Sequence, residues 1–78
     1  MKPAPFERHG DLFLLINRID GEDLKAECQM WGHAGDWHVR LYVVGRGVLA
    51  STPEPTVTSA METGERWKAA MTALGWHE

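Results

Sequence analysis

Residues 37–76 constrain the fold more than any other part of this chain, because they carry two hydrophobic periods separated by turn chemistry. Trp37, Val39, Leu41 and Val43 alternate with His38, Arg40, Tyr42 and Val44, the period of two that a strand shows when one side is apolar. Gly45-Arg46-Gly47 then turns the chain into a short second strand over residues 48–51. Pro53 and Pro55 form a corner that delays any helix. Beyond it, Ala60, Gly64, Trp67, Met71 and Leu74 recur at spacings of three and four, which places them along one side of a helix.

Both ends of that helix are written in the sequence. Thr56 or Ser59 can cap its start, Ser59 with Glu62 fitting a reciprocal capping box; Thr56, which would add one turn, is preferred, giving a helix from about Thr56 to Leu74. Glu62 with Arg66 and Glu65 with Lys68 stand acid-first on the opposite, solvated side. Gly64 costs about 1 kcal/mol of helix propensity against alanine, so its place on the apolar stripe predicts close approach of the helix backbone to the layer beneath. Gly75 suits the left-handed position after the last turn, and Trp76 is placed to fold back onto Met71.

The N-terminal half supplies that layer. Residues 1–10 carry Pro3 and Pro5 without periodicity and are read as a flexible arm, leaving residues 11–78 as a single domain. The apolar run at residues 12–16 lies in a strand ending at Asp20-Gly21-Glu22-Asp23, and the next strand alternates Leu24, Ala26, Cys28 and Met30 with Lys25, Glu27, Gln29 and Trp31. The expected fold is therefore α+β: a two-layer sandwich of order ββββα, with a mainly antiparallel sheet of three to four strands and one C-terminal helix on one face. Trp37, Val39, Leu41, Cys28, Met30, Trp67 and Met71 should form the core. Lys25, Gln29, Trp31, His38, Arg40 and Tyr42 should share the other, open face, the candidate binding surface. The strand at residues 12–19 is apolar on both sides, with Leu12, Leu14 and Ile16 opposite Phe13, Leu15 and Ile19. Such a strand at a sheet edge invites association, so it is expected either inside the sheet or covered, with a homodimer through it slightly preferred.

Composition narrows the function classes. A chain of 78 residues with one cysteine is a single small domain that cannot staple itself, which suits the reduced cytoplasm. No apolar run approaches the roughly 20 residues that span a bilayer. Eight Lys and Arg against eleven Asp and Glu give a net charge of −3, which offers phosphate backbones no general attraction. Cys28, His33, Asp36 and His38 have ligand chemistry for zinc, yet alternation turns Cys28 inward and His38 outward, so no metal or other cofactor is expected. A buried thiol is also a poor nucleophile. Gly45-Arg46-Gly47 reads as a hairpin loop rather than a phosphate cradle, and Asp20, Glu22 and Asp23 as a solvated turn rather than a calcium loop. With no nucleophile, base and oxyanion donor placed together, no enzyme is expected.

The stretch from Trp37 through Pro55-Thr56, Arg66-Trp67 and Leu74-Gly75-Trp76 resembles small bacteriophage- and prophage-encoded proteins in which a Trp-led hairpin precedes a helix ending Leu-Gly-Trp. It covers about half the chain and implies no assigned activity. The strand-strand-helix order is also similar to integrase arm-type DNA-binding domains, and Ala69-Ala70 with Ala73-Leu74 to the final helix of double-stranded-RNA-binding domains. Those modules rely on basic residues where this chain has Glu54 and Glu62, and its hairpin offers only Arg40 and Arg46. The expectation is thus an accessory protein that binds another protein, such as a host factor, through the open sheet face or a strand edge, with nucleic acid binding as the alternative.

Overall fold

The structure is a computed structural model that describes residues 7–33 and 35–78. Four strands, β1 (Glu7–Ile19), β2 (Glu22–His33), β3 (Asp36–Val43) and β4 (Gly47–Glu54), precede one helix, α1 (Val57–Ala73). They form a single antiparallel sheet in the order β1-β2-β3-β4 with the helix on one face, the α+β architecture that the two periods demanded. β1 and β2 are joined by Asp20 and Gly21 with φ of 52° and 79°, the pair of positive φ values that a tight Asp-Gly hairpin turn requires.

The strands run longer than their apolar cores suggested. β1 begins at Glu7, so residues 7–10 of the expected arm belong to the sheet, while residues 1–6 lie outside the described residues. β4 extends through Pro53, which pairs with His38; the corner begins only at Pro55. Two irregularities in β1 account for the unread start: the register shifts between Arg8 and Gly10 and again between Asp11 and Phe13. Each inserts an extra residue and breaks the period of two.

The second shift changes a side-chain assignment. Phe13 and Leu15 face the helix at 7% and 1% exposure, and Leu14 and Ile16 face away. Leu12, expected beside Leu14 and Ile16, instead packs against the core. Its Cδ1 lies 2.6 Å from where a Cβ on Gly64 would be. That contact is the close approach implied by a glycine on the helix stripe.

The buried core joins Phe13, Leu15, Ala26, Cys28, Val39, Leu41 and Val43 to Ala60, Met71 and Trp76 of the C-terminal segment. Trp67, expected as the anchor, is only partly buried, as is Met30; Leu74 is 74% exposed. The tryptophan that closes the core is Trp76. Its N–H donates to Met71 C=O at 3.1 Å and Gly75 N–H to Thr72 C=O at 3.1 Å, the paired bonds of a Schellman stop. Gly75, at φ 103°, makes the reversal that sends the indole back onto the sheet. Trp37 is half-buried at the far end, its ring lying over Gly32, where a Cβ would come within 2.7 Å of it, and tilted against His9 at 5.2 Å between centroids.

At the helix start Thr56 is the N-cap, as preferred, but its reciprocal partner is Ser59 rather than the expected pairing of Ser59 with Glu62. Ser59 N–H donates to Thr56 Oγ1 at 3.0 Å and Thr56 N–H to Ser59 Oγ at 3.2 Å. One turn on, buried Thr63 donates to Glu54 Oε1 of β4 at 2.5 Å and accepts from Arg66 at 2.9 Å. A polar group inside the helix–sheet seam is thereby satisfied on both sides.

Candidate functional site

Alternation and register bring Lys25, Gln29, Trp31, His38, Arg40 and Tyr42 to one face, opposite the helix: Gln29 pairs with Arg40, Trp31 with His38, Glu27 with Tyr42 and Ile16 with Lys25. No described element covers this face. It divides into two unlike halves.

The half nearer the β2–β3 turn is polar and internally bonded. Trp31 Nε1 donates to Gln29 Oε1 at 3.0 Å, and Gln29 Nε2 to Glu27 Oε2 at 3.1 Å. Arg8 bridges Asp11 at 2.5 Å and Glu27 at 3.3 Å, and these acceptors hold its guanidinium above its ordinary pKa. Arg40 lies over the Trp31 ring, 5.2 Å from the centroid, within cation–π range. His38 is hydrogen-bonded to Ser51 of β4. The bond to Gln29 orients the Trp31 ring, and Arg40 rests on that ring. Gln29 differs from the expected display, since it is 6% exposed and spends its amide orienting Trp31.

The other half, nearer the β1–β2 turn, is mainly apolar around Lys25. Leu14, Ile16, Val44 and Val48 are 42–50% exposed; Leu14 and Tyr42 flank Glu27, and Val48 pairs with Tyr42. Val44 extends the ladder, its N–H donating to Lys25 C=O at 2.9 Å. Arg8 and Val48 were missed in the sequence. Arg8 falls before the first bulge, and Val48 lies past a register shift that follows Leu41, so neither fits an uninterrupted alternation.

The strand edges look different. β1 is an edge strand of a plain meander, yet its outer side is partly occupied by the chain's own C-terminus: Ile16 N–H donates to His77 C=O at 2.6 Å and His77 N–H to Ile16 C=O at 3.0 Å. Arg18 N–H is taken by Asn17 Oδ1 at 2.8 Å. Lys68 holds Glu78 at 2.6 Å, keeping the tail against the helix; the contact lowers the Glu78 pKa and raises that of Lys68. β4 carries a register shift and Pro53, which has no N–H to offer. Bulges, proline and a covering segment are the devices by which edges resist pairing.

The ligand-bearing residues are dispersed. Cys28 pairs with Leu41 on the helix side, fully buried, and His38 is on the other face. Burial first, and then the charge of Asp11, pushes the Cys28 thiol up to about 12, which keeps it protonated near neutrality. Among the described residues no three His, Cys, Asp or Glu side chains form a group that could hold a metal ion. Glu22 of the acidic turn is held by Arg46 at 2.5 Å. Among the described residues no helix is long and apolar enough to cross a membrane. Comparison with protein-family models, with curated proteins and with solved structures finds no match to this chain.

Proposed function

We propose that this chain is a non-enzymatic accessory protein of the phage or prophage type, acting in the cytoplasm by binding another protein through the open face of its sheet. The observation that carries this reading is the juxtaposition on one uncovered face of a pre-positioned Trp31–Arg40 pair and the exposed Leu14, Ile16 and Val48 side chains. Aromatic and arginine anchors beside apolar surface are what protein interfaces concentrate. Their fixed geometry lowers the entropy lost on binding. The blunted edges favour the face over strand addition as the mode of attachment.

The test is affinity capture from a bacterial lysate, with and without nuclease, comparing the wild-type chain with a Trp31→Ala, Tyr42→Ala double variant. A protein retained after nuclease treatment and lost with the variant supports the reading. Capture that disappears with nuclease and weakens steeply with salt would transfer the face to nucleic acid, since phosphate contacts release counterions.

A further inference from the structure

We infer that the protein seated on the open face is a second copy of this chain, packed face to face about a two-fold axis with the helices on the outside. The inference rests on the protein-binding reading of that face and names its occupant.

A two-fold interface pairs a surface with itself, so the surface must be self-complementary. The chain as a whole carries −3, so two copies repel at long range and a stable contact needs a face without excess negative charge. Register places Arg8, Arg18, Lys25 and Arg40 on the open face. It also places Asp11, Asp23, Glu27 and Asp36 there. The signs balance, and the excess of negative charge lies outside the face. Two copies meeting here bring equal numbers of cations and carboxylates together, while their helix sides, with Glu62 and Glu65, point apart.

Apolar matching follows the same symmetry. Leu14 and Ile16 of β1 and Tyr42 and Val48 of β3 and β4 stand on either side of Glu27 and Lys25 of β2, so two such halves related by a two-fold axis can bring apolar side chains together on both flanks and set the Lys25 of one copy against the Glu27 of the other. Area is sufficient as well. A standard interface takes about 800 Å² from each partner, roughly 15% of the 5253 Å² surface, and a body of 47 × 25 × 16 Å offers that on a broad side. The edge route is obstructed by His77 on Ile16 and by the bulges of β1. A face-to-face pair leaves that tail in place.

Sedimentation equilibrium of the full chain over a wide concentration range tests this, with circular dichroism confirming that each variant is folded. The expected mass is twice 8.8 kDa. Leu14→Lys on β1 and Val48→Lys on β4 should each weaken the dimer at least roughly a hundredfold, because each replaces an apolar contact on one flank of the buried face with a charged head. Met61→Lys, on an exposed part of the helix, should leave it unchanged. A wild-type monomer at every concentration overturns the inference. So does a dimer sensitive to Leu14→Lys and insensitive to Val48→Lys, which is the signature of β1 edge pairing, and so does one broken by Met61→Lys alone. A monomer that still captures a nuclease-resistant partner removes the second copy and leaves the protein-binding reading intact.

Discussion

The two faces of the sheet are built from the same four strands and spend their side chains differently. On the helix side, Leu15, Ala26, Cys28 and Val39 are almost wholly buried, and the polar Thr63 enters only with partners on both sides. On the open side, among the described residues, Gln29 alone is buried, and an organised polar half adjoins a mainly apolar half that stays in contact with water. Burial of the first face folds the chain. The second keeps most of its side chains in contact with water, and its polar half is joined by hydrogen bonds from Trp31 through Gln29 to Glu27.

The strongest challenge to that contrast is Trp76→Ala. The indole is 6% exposed and roofs the helix side from the Schellman turn, so its removal should cost about 3–5 kcal/mol, the range for emptying a large aromatic site. Chemical denaturation measures it. Against a total of about 5–15 kcal/mol for ordinary domains, such a loss is enough to unfold a chain of this size. Trp67→Ala should cost less, because that ring is only half-buried; the reverse order would mean that the covered face is anchored mid-helix.

How much of this could be read beforehand depended on whether a residue's fate was local. The cap at Thr56, the stop at Gly75 and the alternation from Trp37 to Val43 are decided by neighbours in sequence, and the structure follows them. So did the face shared by Trp31, His38, Arg40 and Tyr42. The bulge at His9 is marked only by Gly10, at φ 138°, which reads equally as a strand boundary, and the one at Leu12 has no glycine beside it, so Arg8 fell into the supposed arm and Leu12 onto the wrong side. Thr63 was not singled out in the sequence, because its burial is tied to a contact with Glu54 of β4, nine residues away. Gln29 could be placed on its face from the sequence, but its burial goes with side-chain bonds to Glu27 and Trp31 that the alternation does not reveal. The coverage of β1 by His77 depends on a reversal at Gly75 whose purpose shows only in three dimensions.

Gly64→Ala sharpens the contrast at the helix–sheet seam. Alanine gains about 1 kcal/mol of helix propensity, but its Cβ would sit 2.6 Å from Leu12 Cδ1 and 3.4 Å from Leu12 Cβ. Overpacking of that kind costs about 1–3 kcal/mol, so the net effect should be a destabilisation of about 1 kcal/mol. In a Leu12→Ala background the clash is gone and the same substitution should stabilise. A double-mutant cycle without that change of sign would show that the two residues do not meet.

On the open face the expected effects are smaller. Arg40→Leu removes one cation–π contact, about 0.5–1 kcal/mol at an exposed site, while leaving the backbone ladder intact. It should diminish partner capture far more than it lowers the unfolding midpoint. A loss of several kcal/mol would make the polar half a structural element and erase the distinction between the faces.

The smallest effect concerns acid. Glu54 is held below its ordinary pKa of 4.5, first by the hydrogen bond from Thr63 and then by Ser59 and Arg66, against an opposing effect of burial. Its folded pKa is therefore lower than its unfolded one, so the folded state binds fewer protons. The stabilisation it brings is fully present above the unfolded value and is lost as pH falls through the folded value. Glu78, lowered by Lys68, adds a contribution of the same sign from the tail. Stability measured by denaturant titration should thus decline as pH drops below about 4.5. Glu54→Gln should flatten that decline while keeping an acceptor for Thr63, and Glu78→Gln should flatten it separately. An acid limb unchanged in both variants would mean that the ion contacts on the helix side carry no more stability than those of the open face.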